Sequence, residues 1–292
     1  MIEIGDRHAR QRYRAIARRC GGGTVAAMEG YDRTTYGKAF ADVYDEWYAD
    51  VSDVDATVAT LTNLALDGGT DARVLELGVG TGRLAVPLAA DERLAVVGID
   101  ASEPMLDLLR RRDAGGRVDA LLGDMVDDLP DGPFDLAFVA YNTLFNLTGE
   151  GEQERCFAAV AERLRPGGRF VVEAFVPDDG DESGEVVSVR SMTADRVVLS
   201  ISRRRAGTRL AEGQFVEFTE ADGVRLRPWS IRYATPAQLD AMADTAGFEP
   251  EARWADMSRT TFGPDDERHV TVYRRHGGRP ATPSGGSTGD RP

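Results

Sequence analysis

Residues 74–82 read Val-Leu-Glu-Leu-Gly-Val-Gly-Thr-Gly, a short apolar run that ends in three alternating glycines. The run is typical of a buried strand, and residues 83–90 behind it have the pattern of a helix. Glycines at such a turn let the backbone pass close to a ligand, and the start of the helix offers free N–H groups. The stretch therefore predicts a ligand-binding turn on an α/β sheet.

Apolar runs and helical segments alternate downstream of this turn. Further strands are predicted at 94–99, 118–122, 134–139 and 170–175, with helices at 104–112 and 152–164. Continuously apolar strands joined by helices indicate a parallel, Rossmann-like sheet with helices on both faces. Strands near 249–254 and 269–273, after a helix at 236–246, are expected to close that sheet as an antiparallel hairpin.

Two further regions flank this pattern. The apolar stripe of residues 36–51 predicts one amphipathic helix, and a second helix is predicted over 54–66. Four runs between 186 and 233, separated by polar turns, predict a small antiparallel β insert. The predicted division is an N-terminal extension (1–27), a main domain (28–176 and 235–276), the insert on the substrate side (177–234) and a disordered tail (277–292).

Composition limits the partners. The net charge is -14, from 49 acidic and 35 basic residues, so the surface would repel a nucleic acid. No apolar run approaches the roughly 20 residues that span a bilayer, and no export signal is visible. We therefore expect a cytoplasmic protein that acts on a small molecule.

A metal site is not expected. Cys20 and Cys156 lie far apart without a CxxC spacing, and His8, His269 and His276 are scattered along the chain. His269 is expected on the surface of a strand. The paired arginines 203/205 and 225/227 share strand faces, where they either clamp a phosphate-bearing acceptor or, more simply, form a solvated outer face.

The glycine turn disfavours a dinucleotide. Arg83 occupies the sixth position counted from Gly78, where a dinucleotide fingerprint needs a small residue, and Gly82 comes one residue early. Glu76 stands two residues before the first glycine, where a carboxylate opposes a pyrophosphate but suits a positively charged ligand. An NAD-dependent oxidoreductase on a similar sheet remains the alternative.

Two more carboxylates follow the next strands. Asp100 lies 22 residues after Gly78, in the register where an acidic side chain accepts hydrogen bonds from ribose hydroxyls. Asp124 follows the third strand and is suited to accept from an adenine amino group. Because the carboxyl ends of parallel strands meet at one edge, these groups and Glu76 are predicted to share a crevice.

These motifs resemble a known family. ELGVGTG, GIDASEPML, GDM, FDLAFVAYNTL and LRPGGRFVVE stand in the order and spacing of class I S-adenosylmethionine-dependent methyltransferases, over residues 36–273. Tyr36, residues 41–45, Tyr48 and the insert more weakly resemble actinobacterial small-molecule enzymes such as the N,N-dimethyltransferases of nucleotide-linked amino sugars. The resemblance implies S-adenosylmethionine as cofactor and methyl transfer to N or O of a small molecule. A catalytically silent cofactor-binding protein is a second alternative.

The resemblance also implies site residues. The cofactor contacts are predicted to be Tyr36, Glu76, Gly78, Gly80, Gly82, Asp100, Ala101, Asp124, Met125 and Tyr141. Tyr36 and Tyr48 are expected to close over the methionine end. Tyr48 lies off the apolar stripe that carries Tyr44 and Trp47, so it is a predicted catalytic residue. Asn142 is the second predicted catalytic residue. Asn142 has the alternative of capping the turn that follows it.

Overall fold

A seven-stranded sheet forms the centre of the computed structural model, which describes residues 28–49, 51–178 and 183–277. Its strands are β1 (Ala72–Leu77), β2 (Leu94–Asp100), β3 (Val118–Leu122), β4 (Phe134–Val139), β5 (Leu164–Phe175), β10 (Phe248–Trp254) and β11 (Arg268–Arg275). Their order across the sheet is β10-β11-β5-β4-β1-β2-β3. β1 to β5 run parallel, whereas β11 is antiparallel to both β5 and β10. The predicted parallel sheet with an antiparallel closing hairpin is confirmed.

The strand order places a switch point beside β1. β1 pairs with β2 on one side and with β4 on the other, so the connections leaving β1 and β4 diverge to opposite faces. A crevice opens there at the carboxyl ends of the strands. The glycine turn, which follows β1, lies at this crevice.

Seven helices are described, and they cover both faces of the sheet. They are α1 (Thr35–Phe40), α2 (Tyr44–Trp47), α3 (Val54–Leu66), α4 (Ala85–Leu88), α5 (Glu103–Arg112), α6 (Glu152–Arg163) and α7 (Pro236–Thr245). Successive residues of β1 point to opposite faces: Val74 joins the core beneath α3 and α4, and Leu75 joins the core beneath α6 and α7. Burial on both faces explains why the strands are continuously apolar.

The prediction of one helix over residues 36–51 is wrong. The segment forms α1 and α2 with a turn between them, in which the Val43 amide donates to the Phe40 carbonyl rather than to that of Ala39. The Ala39 carbonyl instead accepts from Arg227 of the insert, and Asp42 also binds that guanidinium. Contacts with a distant strand therefore override the helical period of the segment.

The insert is a separate four-stranded sheet. Its strands β6 (Gly184–Met192), β7 (Arg196–Arg205), β8 (Leu210–Thr219) and β9 (Gly223–Arg232) pair antiparallel in chain order. One face of the sheet packs against α1 and α2, where Phe215 contacts Phe40 and Trp47 edge to face. The predicted extension 1–27 and nearly all of the predicted tail lie outside the described residues.

His269 is buried, which corrects the prediction of a surface position. It is 0 % exposed, and its Nδ1 lies 2.9 Å from the Thr271 hydroxyl. Phe262, in the segment between β10 and β11 for which no element was predicted, contacts it at 6.2 Å between ring centroids. Burial lowers the pKa of His269 to about 4, so the side chain is neutral near pH 7.

None of the described helices has the length and apolar character that crossing a membrane requires. The described residues also contain no cluster of three or more histidine, cysteine, aspartate or glutamate side chains that could hold a metal ion.

Candidate cofactor and acceptor site

The glycine turn forms the floor of the crevice at the end of β1. Gly78 and Gly80 both have positive φ angles, 66° and 55°, which other residues rarely adopt. A Cβ atom on Gly78 would lie 2.3 Å from Cγ2 of Thr143, so a side chain there would close the crevice. Glycine is therefore required for conformation and for space.

Asp100 lies at the end of β2 and faces this floor. Its two carboxylate oxygens accept hydrogen bonds from the amides of Gly80 at 2.8 Å and Ser102 at 2.9 Å. Burial raises the pKa of Asp100, while the two amide bonds oppose that rise. Each oxygen keeps a further lone pair that can accept from a ligand.

Asp124 lies just after β3, at the far end of the crevice. Oδ1 accepts from the Val126 amide at 2.9 Å, and Oδ2 pairs with Arg33 at 2.7 Å. The Arg33 side chain is half exposed and belongs to the segment before α1. The N-terminal segment therefore reaches over the end of the crevice and contacts the carboxylate directly.

The crevice is large enough for a nucleoside-sized ligand. It encloses about 760 Å³, including the part that is open to solvent, within the range of ordinary small-molecule sites. Among its lining residues are Tyr31, Arg33, Tyr36, Tyr44, Gly78, Gly80, Asp100, Ala101, Ser102, Asp124, Met125, Thr143 and Asn146.

A second chamber adjoins the crevice and shares four of its residues. It encloses about 640 Å³, including open space, and its lining residues are Tyr36, Tyr44, Tyr48, Val51, Arg83, Tyr141, Asn142, Thr143, Asn146, Phe175 and Ile231. Tyr36, Tyr44, Thr143 and Asn146 belong to both spaces. The tyrosines of α1 and α2 therefore stand between the two spaces.

Arg83 connects the N-terminal segment to the sheet at this chamber. Its guanidinium donates to the Tyr48 carbonyl and to the Ser52 hydroxyl, and it lies 4.4 Å from the centroid of the Tyr141 ring. The Ser52 and Tyr141 hydroxyls also share a short hydrogen bond. In the sequence, Arg83 served only to argue against a dinucleotide. In the structure it links residues of the N-terminal segment to Tyr141 in the wall of the chamber.

Comparison with known proteins gives the family. Residues 74–168 match the family described as "Methyltransferase domain". The chain is 30 % identical over 224 residues to the cypemycin N-terminal methyltransferase of a Streptomyces species, an alignment that covers 75 % of this chain and 88 % of that protein. The chain belongs to the class I S-adenosylmethionine-dependent methyltransferases.

Solved structures of methyltransferases agree with the fold. The CcbJ methyltransferase from Streptomyces caelestis is 40 % identical, with a TM-score of 0.75 over 84 % of this chain and all of that one. The S-adenosylmethionine-bound amino pentose methyltransferase CalS10 from Micromonospora echinaspora is 24 % identical, with a TM-score of 0.55 over 85 % of this chain, and shows likeness of fold alone. The NAD-dependent alternative is set aside, and S-adenosylmethionine is the cofactor of this methyltransferase.

The residues of the crevice fit that cofactor. Asp100 can accept from ribose hydroxyls and Asp124 from an amino group, and the glycine floor leaves room for a ligand against the backbone. The methyltransferase offers no cluster of cations for a pyrophosphate, since Arg33 is the one basic side chain among the described lining residues of the crevice. The donor and acceptor set therefore suits a sulfonium nucleoside.

Two predicted contacts lie beneath the crevice rather than in its lining. Glu76 is 4 % exposed, and its Oε2 has no hydrogen-bond partner among the described residues. Burial, and after it the charge of Asp100, raises the pKa of Glu76 well above its usual range. A Cβ on Gly82 would lie 2.7 Å from Cγ of Leu109, so this glycine permits close packing on α5. Direct cofactor contacts for both residues stay predictions.

The two predicted catalytic residues line the chamber. Tyr48 is 8 % exposed, and its hydroxyl accepts from Tyr36 at 3.4 Å. The Asn142 amide oxygen accepts from the Phe175 amide at 2.6 Å, and its side chain makes no cap to the following turn, so the capping alternative is wrong. The bond from Phe175, together with the bond from the Asn142 amide to the Glu173 carbonyl, joins the turn after β4 to the end of β5.

Several residues that line the two spaces were not among the predicted site residues. Tyr44, on the apolar stripe, was open to either core packing or a role at the site; it packs against the core as Trp47 does, and it also lines both spaces. Tyr31 and Arg33 precede α1 and carry no motif of their own. Thr143 and Asn146 lie in the 3₁₀ turn after β4; the strand-end position of that turn was a signal for both, and Thr143 also stands in the motif FDLAFVAYNTL.

Proposed function

We propose that the protein methylates a nitrogen atom of a small-molecule amine. The proposal rests on the chamber that adjoins the cofactor crevice. Its described lining consists of tyrosine hydroxyls, amides, a threonine and apolar groups, and it contains neither a carboxylate nor an imidazole. Arg83 is the one charged side chain in that lining.

The absence of a base among these residues favours an amine over an alcohol. An alcohol must lose its proton as it attacks, so it needs a group that accepts the proton. Burial raises the pKa of Tyr36, Tyr44 and Tyr48, so their hydroxyls remain protonated and cannot serve as bases near neutral pH. A neutral amine already presents a lone pair.

Arg83 also favours the neutral amine. A guanidinium beside the chamber disfavours a second positive charge, so it lowers the pKa of an ammonium group that enters. The proton leaves to water before the amine binds in its reactive form. The charge of Arg83 therefore favours binding of the amine in its neutral form. Methyl transfer forms an ammonium product, and the same charge favours loss of its proton to water.

Positioning of the acceptor nitrogen against the cofactor methyl group supplies most of the expected acceleration of methyl transfer. The cofactor, when bound, supplies a methyl group on a positively charged sulfur. The tyrosine wall between crevice and chamber can orient the acceptor, and such positioning is worth about 7–11 kcal/mol of the barrier in well-aligned reactions. Aromatic rings beside a cationic centre add about 0.5–2 kcal/mol. No covalent protein nucleophile is required.

The insert and the N-terminal helices are proposed to form the acceptor side. Ile231 of β9 lines the chamber together with Tyr48 and Val51 of the N-terminal segment. The cypemycin enzyme, by its name, methylates an N-terminus, which supports nitrogen as the target atom.

The test compares matched amines and alcohols. The purified full chain is incubated with methyl-labelled S-adenosylmethionine and pairs of small molecules that differ only in an amino or a hydroxyl group. We expect label on amines, with a rate that rises with pH through the amine pKa. Label on the alcohols at a comparable rate would contradict the proposal, and mass spectrometry of the products distinguishes the two.

A further inference from the structure

Among the residues that the structure describes, the outer face of the insert sheet exposes apolar side chains to solvent, and the Met28 sulfur lies 3.9 Å from the Gln214 amide nitrogen on this face. Of the nine large apolar side chains that the described residues expose, seven lie on this face. Its most exposed members are Val187, Val189, Met192, Phe218, Val224 and Leu226, at 42–72 % exposure. We call these six residues, with Ile201, the outer apolar face.

The strand register places these side chains together. Val224 and Phe218 are paired residues on β9 and β8, and Met192 lies in the same row on β6. Leu226 and Val189 belong to the next row, and Ile201 and Val187 are paired in the third. Because side chains alternate between faces, all seven point away from α1 and α2.

We propose that this face binds the same face of a second copy of the chain. A two-fold contact joins identical patches, so a patch must be complementary to itself. The three rows carry no charged side chain. In the row beyond Val187 and Ile201, Arg203 and Glu212 are paired at 2.6 Å beside Glu185, and the exposed Asp195, Glu220 and Asp222 stand at the other end of the face. An uncharged apolar patch meets this condition even though each chain carries a net charge of -14.

The dimensions suit the centre of a dimer interface. Three rows on four strands span roughly 20 Å by 20 Å at ordinary strand spacing, which is roughly 400 Å² of projected area. A standard interface takes about 800 Å² from each partner, with an apolar centre and a polar rim. The adjoining row with Arg203 and Glu212 would form part of the polar rim. The insert sheets of the two chains would pack about 10 Å apart.

The first test is the oligomeric state. We expect the wild-type full chain to sediment as a dimer at about 10 µM. Leu226→Glu should sediment as a monomer, with the dimer dissociation constant raised at least about 100-fold, because the two-fold contact would bury two carboxylates. Leu122→Glu is the matched control: Leu122 is 59 % exposed, against 58 % for Leu226, but it lies on β3, and its variant should remain a dimer.

Two further measurements exclude a folding artefact. Val189→Glu changes another strand of the same face and should also give monomers, while binding of S-adenosylhomocysteine reports that the central sheet of each variant is intact. In the wild-type chain, Met192, which is 72 % exposed in one chain, should be oxidised by hydrogen peroxide several-fold more slowly at 50 µM than at 0.5 µM.

Three outcomes of these measurements would overturn the proposal. They are a wild-type chain that is monomeric up to 100 µM, folded Leu226→Glu and Val189→Glu variants that both remain dimers, and oxidation of Met192 that is independent of concentration. A monomer that floats with phosphatidylglycerol vesicles would also overturn it and assign the face to a lipid surface.

Discussion

Asp100 shows how a single side chain can serve both the fold and the ligand. Its oxygens fix the amides of Gly80 and Ser102, which shapes the glycine floor, and the same oxygens face the crevice. Asp100 can make both contacts because it lies at the end of β2, next to Ser102 and facing the glycine turn. The side chains that meet it across the crevice come from distant parts of the chain.

Replacing Asp100 by Ala should weaken cofactor binding by about 1.5–3 kcal/mol for each charged hydrogen bond lost, or roughly 10- to 150-fold. Isothermal titration with S-adenosylhomocysteine measures the change. Asp119→Ala, at an exposed position on β3, is the control and should bind as the wild type does. An unchanged dissociation constant for Asp100→Ala would remove this residue from the binding site.

Tyr48→Phe should lower turnover while leaving cofactor affinity near its wild-type value. The reason is that the Tyr48 hydroxyl lies in the chamber, with only a long 3.4 Å hydrogen bond from Tyr36, and does not line the crevice. Initial rates with an amine acceptor and titration of S-adenosylhomocysteine give the two quantities. Equal turnover would return Tyr48 to a packing role.

Tyr44→Phe should differ from Tyr48→Phe, because Tyr44 lines both spaces. We expect this change to affect turnover and cofactor affinity together. The same rate and titration measurements test it, and a change in turnover alone would place the Tyr44 hydroxyl on the acceptor side.

At the scale of elements, α1 and α2 are held against the insert by buried charge. Arg227 is 1 % exposed and binds both Asp42, between the helices, and Glu217 of β8. Trp47 lies beneath it, with its ring centroid 5.3 Å from the guanidinium carbon. The simpler expectation of a solvated outer face therefore fails for Arg227, whose charge is buried and paired.

Arg227→Met should lower the free energy of unfolding by about 3 kcal/mol, because Glu217 would remain buried with fewer partners. Arg225→Met is the matched control: Arg225 contacts the same Asp42 from an exposed position, and its loss should cost at most about 1 kcal/mol. Urea denaturation gives both values. Equal effects of the two substitutions would show that burial of the Arg227 ion pair is not what stabilises the contact.

At the scale of the whole molecule, stability should depend on the protonation of His269. Its pKa is about 4 in the folded chain and about 6.5 in an unfolded one, so the unfolded state takes up a proton first as the pH falls. The contribution of this group is fully present above pH 6.5. It is lost progressively as the pH falls from 6.5 towards 4.

The difference in unfolding free energy between the wild type and His269→Gln should therefore shrink by about 2 kcal/mol between pH 7 and pH 5. Using the difference cancels the titration of buried carboxylates such as Glu76. Denaturation curves at four pH values measure this, and a constant difference for His269→Gln would contradict its burial in the neutral form.

The sequence by itself determined the central sheet and the chemistry of its edge. Strand and helix periods, glycines that need positive φ and carboxylates at strand ends are properties of a few neighbouring residues, so the Gly78 turn, Asp100 and Asp124 could be predicted before any contact was known. The closing hairpin and the four-stranded insert followed from the same local signals.

Tertiary structure alone decided the break between α1 and α2, the pairing of Arg33 with Asp124, the burial of His269 and the place of Tyr44 at both spaces. These features depend on residues far apart in the chain, as Asp42 and Arg227 are by 185 positions. Burial, charge pairing and the exposed apolar face of the insert emerge only when distant elements meet, because solvation depends on neighbours in space rather than in sequence.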